Sequence, residues 1–117
     1  VYILDDGYNG NIVGVKSSLE VLASFPGRHI VVSQGIVELG QREAEINETV
    51  GRELSEVADV VILCGVNSKS IEKGLKSRNF QGRIIMAKNM RNVKKYIGET
   101  VKVGDTVLLQ NDVPDIY

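Results

Sequence analysis

The stretch Asp5-Asp6-Gly7-Tyr8-Asn9-Gly10-Asn11 follows directly on the apolar run Val1 to Leu4. Two carboxylates, two side-chain amides and a phenol at the mouth of a buried strand have the means to hold a polar ligand. A carboxylate such as Asp6 accepts two hydrogen bonds from a vicinal diol, and Asn9 and Asn11 can each donate and accept. Gly7 and Gly10 let the backbone approach a ligand closely. A plainer reading stands beside this one. Asn11 also suits a helix N-cap, and the two glycines also suit a tight turn. Tyr8 either packs on a ligand ring or plugs the domain edge.

The elements that must position this loop are legible from hydrophobic pattern. Runs rich in Val, Ile and Leu, without polar alternation, predict strands at Val1 to Leu4, Ile30 to Ser33, Val60 to Cys64, Ile84 to Ala87 and Thr106 to Leu109. Such runs mark parallel strands covered on both faces. Helical spacing falls between them. Asn11 precedes a helix with Ile12, Val15, Leu19 and Leu22 on one face, which the segment Phe25-Pro26-Gly27-Arg28 ends. Gln41 to Val57 places Ile46, Val50, Leu54 and Val57 together and turns a glutamate-rich face to water. Asn67 or Ser68 caps a third helix through Lys76, with Ile71 and Leu75 inward. Asn89 caps a fourth, with Met90, Val93 and Ile97 inward.

The alternation is βαβαβαβαβ. Right-handed crossovers make it a three-layer, Rossmann-like α/β domain with a mostly parallel sheet of five to six strands. Ligands of such sheets gather beyond the carboxyl ends of the strands. Three polar loops leave there: the first loop, Gln34 to Gly40 after the second strand, and Asn111 to Tyr117 after the last.

Composition narrows the classes. The chain has 117 residues, 43% hydrophobic and 25% charged, with a net charge of -1. One core in one domain (1–117) is expected. The charge balance argues against nucleic acid or an acidic membrane as partner. No run approaches the ~18 apolar residues of a membrane helix. Cys64 is the single cysteine and sits in an apolar run, which predicts an inert buried thiol and suits a cytoplasmic location. The chain opens on a strand without a Met and stops soon after the last one, as expected of a domain excised from a longer protein.

Several motifs fail. Gly35 and Gly40 have P-loop spacing, but Gln41 and Arg42 follow where that loop needs Lys and Ser or Thr. No G-x-G-x-x-G follows the first strand. His29 is the only histidine, so no metal cluster can be built around it and a structural role is expected. A phosphoacceptor receiver needs an Asp ending the third strand and a Lys ending the fifth. Cys64-Gly65 and Gln110-Asn111 stand there instead.

Taken together the loops resemble the C-terminal domain of the Mur ligases, specifically the MurF-like type that adds D-alanyl-D-alanine to a UDP-muramyl tripeptide. That family writes its first loop D-D-S-Y-N-A-N-P, and Asp5 to Asn11 follow it. Its second loop, G-D-M-x-E-L-G with a later His, is matched by Glu38-Leu39-Gly40, with Asn47 where the His would fall. Its common last loop, K-G-S-R, is replaced by Asn111-Asp112-Val113-Pro114-Asp115-Ile116-Tyr117, as in a branch that carries N-D-L-P-D-x-Y.

The resemblance implies one domain of a three-domain ligase. An N-terminal domain holds the UDP-muramyl peptide. A central P-loop domain holds ATP and Mg2+. The C-terminal domain closes over both and brings the incoming amine, which attacks an acyl phosphate. It assigns Asp6 to the ribose of ATP, with Asn9, Asn11 and Tyr8 near the nucleotide. A dipeptide such as D-Ala-D-Ala carries an ammonium, for which Glu38, Asp112 and Asp115 are candidates. It also carries a carboxylate, for which Lys69 is the candidate. Asp112 and Asp115 equally suit a solvated turn around Pro114. Two other readings remain: another Mur-type or folylpolyglutamate synthase-like ligase domain, or a non-enzymatic α/β binding module.

Overall fold

The structure is a computed structural model that describes residues 1–6, 11–37 and 40–110, with the side chain of Asp6 outside that description. The elements are β1 (Tyr2–Asp6), α1 (Ile12–Ala23), β2 (His29–Ser33), a 3-10 turn (Gly40–Arg42) and α2 (Glu43–Leu54). Then come β3 (Val60–Leu63), α3 (Ser68–Ser77), β4 (Arg83–Met86), α4 (Met90–Thr100) and β5 (Thr106–Gln110). The sheet has five strands in the order β1-β5-β2-β3-β4, and every pairing is parallel. This is the expected three-layer α/β architecture.

Strand residues divide between two cores because successive side chains point to opposite faces. Val31, Val61, Leu63 and Leu108 meet Val15, Leu19 and Leu22 of α1, Val50 and Leu54 of α2, and Ile71 and Leu75 of α3. Ile30, Val32, Val60, Ile62, Val107 and Leu109 take the other face, where Val93 of α4 covers them. Cys64 belongs to this second core, and burial pushes its thiol up. A thiol so placed resists forming the reactive thiolate.

Helix starts follow the expected chemistry in two of three cases. Asn11 Oδ1 accepts from the amide of Gly14 at 2.9 Å, and Asn89 Oδ1 accepts from that of Asn92 at 3.0 Å. Asn67 holds the N-cap position of α3 but makes no side-chain cap. Its amide turns inward to another loop instead. The Gln41 to Val57 pattern splits into the 3-10 turn and α2, and its acidic face is tied to neighbours: Glu53 pairs with Lys16 at 3.8 Å and Glu48 with Lys73 at 3.7 Å.

α2 and α3 cross with their backbones in near contact. A Cβ on Gly51 would collide with the carbonyl oxygen of Ile71, and one on Gly74 with that of Glu48. Two glycines on facing helices thus set the crossing distance, and with it the seat of both helix N-termini at the sheet's carboxyl end.

The opposite rim is pinned by polar bonds. Arg28, just before β2, donates to Asp105 Oδ1 at 3.2 Å and Oδ2 at 2.7 Å and to the carbonyl of Thr100 at 2.6 Å. Asp105 also accepts from the amide of Lys102 at 2.8 Å. Hydrogen bonding from the Arg28 guanidinium, helped by that amide and opposed by burial, holds the Asp105 carboxyl below its ordinary value. His29 has the structural role expected of it: its ring nitrogens lie 3.0 Å from the carbonyl of Val57 and 2.8 Å from that of Phe25.

A carboxyl with a lowered folded-state pKa stabilises the fold above its unfolded value, about 3.9, and loses that contribution as pH falls through the lowered value. Arg28→Met leaves Asp105 buried without its partner and should cost about 2–3 kcal/mol at pH 7. Urea unfolding checks this. The gap between variant and wild type should be widest at neutral pH and shrink below about pH 4; a gap constant from pH 7 to pH 3 would show that the ion pair does not carry it.

Candidate functional site

At the carboxyl end of the sheet Asp6, Gln110 and Ser33 form a row across β1, β5 and β2. Gln110 is wholly buried. Its Nε2 donates to Ser18 Oγ at 3.2 Å, and Ser18 Oγ donates to the carbonyl of Val15 at 2.9 Å. That carbonyl takes the serine's only proton, so Ser18 acts as acceptor toward Gln110 and the amide orientation follows. Among the described residues Gln110 Oε1 is then a buried acceptor without a partner. An orphaned acceptor of this kind costs about 1–3 kcal/mol.

The loop after β2 is held by side chains from three elements. Ser33 Oγ accepts from the amide of Gly35 at 3.1 Å. Asn47 of α2 accepts from the amide of Ile36 at 2.8 Å and donates to its carbonyl at 2.8 Å. The second Nδ2 hydrogen of Asn47 reaches the carbonyl of Glu43 at 2.9 Å. Asn67 adds a bond to the Ile36 carbonyl at 3.3 Å. Gly35 has φ of 80° and lies so close to Asn47 Oδ1 that a Cβ would collide with it. Both the conformation and the contact call for glycine.

The expected site residues fall as follows. Asp6 ends β1 at the rim, and Asn11 starts α1 there as its cap. The cap occupies the Asn11 oxygen and not the two Nδ2 hydrogens, so capping and ligand binding are compatible. Lys69 is exposed on the first turn of α3. That helix leaves β3, three strand spacings (roughly 14 Å) from β1, so Lys69 is not brought against Asp6. Tyr8, Asn9, Glu38, Asp112 and Asp115 lie outside the described residues. Among the described residues no group of three or more His, Cys, Asp or Glu could hold a metal ion, and no helix is long and apolar enough to cross a membrane. A groove of about 430 Å³ runs beside the β1 edge, lined by Leu4, Gly14, Ser18, Val21 and others. Its lining takes in Asp5 of the first loop.

The model of the Mur ligase glutamate ligase domain matches residues 1–110. The chain belongs to that family. It is 26% identical over 119 aligned positions to the UDP-N-acetylmuramoyl-tripeptide--D-alanyl-D-alanine ligase of Buchnera aphidicola, covering 97% of this chain and 26% of that protein. It is similar to the crystal structure of MurF ligase from Thermotoga maritima in complex with ADP, with a TM-score of 0.77 and 28% identity over 94% of this chain and 24% of that one. A murein peptide ligase from Psychrobacter arcticus shares the fold, with a TM-score of 0.70 at 13% identity over 94% of this chain and 24% of that one. The chain thus spans about a quarter of the length of these relatives.

Sequence pattern offered Asn67 of this Mur ligase domain only as a helix cap, gave no sign of the buried bond between Gln110 and Ser18, and noted Asn47 only as a departure from the family's His. A signal existed for Asn47. It occupies the stripe Asn47, Val50, Gly51, Leu54 that α2 buries, and a polar residue in an apolar stripe asks for a partner. Gln110→Met keeps the shape and removes both the weak bond to Ser18 and the orphaned acceptor. The two effects should cancel to within about 1 kcal/mol in chemical unfolding. A loss above about 2 kcal/mol would mean that Oε1 is bonded.

Proposed function

We propose that this chain is the C-terminal domain of an ATP-dependent peptide ligase of peptidoglycan precursor synthesis, the type that joins D-alanyl-D-alanine to a UDP-muramyl tripeptide. The observation that carries the reading is similarity over nearly the whole chain to proteins of that name, together with the polar strand ends Asp6, Gln110 and Ser33 aligned at the carboxyl rim. The alternative of a non-enzymatic module has no comparable support.

In this reading the peptide carboxylate takes the γ-phosphoryl group of ATP, giving an acyl phosphate and ADP. The dipeptide amine then attacks the acyl carbon. The C–N bond forms, phosphate leaves, and the amine gives up a proton. The phosphates and Mg2+ belong to the central domain, since this chain lacks the P-loop lysine. The protein works in the cytoplasm, where ATP and UDP-linked precursors are available. This domain closes over ATP. Asp6 holds the ribose diol, and Asn9, Asn11 and Tyr8 lie along the base or sugar. Glu38, Asp112 and Asp115 are candidates for the dipeptide ammonium and Lys69 for its carboxylate. A carboxylate that grips an ammonium must let it lose a proton before attack, because only the neutral amine is nucleophilic.

Asp6→Asn in the full-length ligase tests the nucleotide assignment. Loss of a charge-assisted hydrogen bond of roughly 1.5–3 kcal/mol should lower kcat/KM for ATP about tenfold to a hundredfold. With 2′,3′-dideoxy-ATP the same substitution should matter far less, because the diol is absent. Steady-state kinetics on both nucleotides checks this, and equal losses would remove Asp6 from the ribose.

A further inference from the structure

We infer that Asn47 is a positioning residue for the amine substrate, acting through the backbone of the loop after β2. This rests on the proposed ligase function. Three of the four hydrogen-bonding positions of its carboxamide are used, two on the peptide groups of Ile36 and one on Glu43. The two Ile36 bonds cross from α2 to the loop after β2, eleven residues back in the chain. Asn47 thereby treats Ile36 as a neighbouring strand would, one acceptor for its N–H and one donor for its C=O, at the point where the sheet ladder has ended. Ile36 is buried and Val37 is exposed, so the clamp lies where the chain turns from core to rim. Glu38, a candidate for the ammonium, follows in sequence.

The residue type matters as much as the place. A carboxylate at position 47 would set an acceptor against the carbonyls of Ile36 and Glu43. A neutral imidazole has one donor and one acceptor, and cannot make all three bonds. The nucleotide candidates leave β1, which β5 separates from β2. Loosening the clamp should therefore act on the amine and spare ATP.

The test uses the full-length ligase with UDP-muramyl tripeptide, ATP and D-alanyl-D-alanine as probes. Asn47→Asp should raise KM for the dipeptide at least tenfold, leave KM for ATP within twofold, and speed hydrogen exchange over residues 34–37. Asn67→Ala, which removes only the longer bond to the Ile36 carbonyl, should move the same quantities in the same direction by less, and decides the matter if Asn47→Asp does not fold. Val50→Ala opens a cavity one turn along α2 and should lower stability without moving either KM. An unchanged dipeptide KM, equal shifts for dipeptide and ATP, or a dipeptide shift in Val50→Ala matching that of Asn47→Asp would overturn the inference. Exchange is read whether or not the wild type ligates these probes. Unaltered exchange in a folded Asn47→Asp variant overturns the clamp itself, whereas a wild type that fails to ligate while the exchange shift is present counts against the substrate reading alone.

Discussion

A sheet in which all five strands run parallel has only one rim for its outgoing loops. Each strand must be followed by a crossover that returns the chain to the opposite end, and the chain always leaves at the carboxyl side. The carboxyl ends of β1, β5 and β2 therefore lie side by side although they are far apart in sequence: Asp6 is level with Gln110, and Gln110 with Ser33. The strand order β1-β5-β2 brings those three together in space. Sheet topology, more than any single contact, puts the starting points of three polar segments at one rim. The other rim is free to be structural, and Arg28, Asp105 and His29 make it so.

The core changes character as it nears the site. Midway along the sheet it is Val, Ile and Leu. At the carboxyl end Ser33, Asn47, Asn67 and Gln110 are buried, and Ser33, Asn47 and Asn67 bond loop backbone that the ladder can no longer serve. Buried amides are suited to this because each both donates and accepts, so one side chain can satisfy a whole peptide group. Gln110 is the exception: its Nε2 is bonded to Ser18, and among the described residues its Oε1 has no partner. A fully satisfied network would be more stable, and departures of this kind are more often kept where a protein must act than where it must only fold.

Fold was legible because its signals are local. Unbroken runs of branched residues marked all five strands to within two residues. β1 runs on to Asp6, past the apolar stretch, because pairing with β5 is a backbone matter. Caps at Asn11 and Asn89 were legible for the same reason, since the partner is three residues away. Asn67 was not, because its amide serves Ile36, thirty-one residues back. Gly51 and Gly74 carry no signal of their role in the sequence. Their value appears only when the helices face one another. The clamp on the loop after β2 was not legible either, because long-range polar pairing leaves no periodic trace.

The division of labour in the proposed ligase follows from what a closing domain must do. It has to grip its nucleotide well enough to complete the site and then release it in every turnover. Cradling the phosphates would place the strongest charge-assisted bonds on the moving part and slow its opening. This chain is nearly neutral, with a net charge of -1, and its candidate nucleotide contacts are a carboxylate, amides and a phenol, groups whose chemistry suits the uncharged parts of ATP. Such bonds are modest one by one, and they depend on direction. A domain that reads direction needs its loops fixed in advance, because mobility would dissipate the small energies available. Buried amides meet that need for the loop after β2, on the amine side of the proposed site, where Asn47 and Asn67 fix the backbone of Ile36.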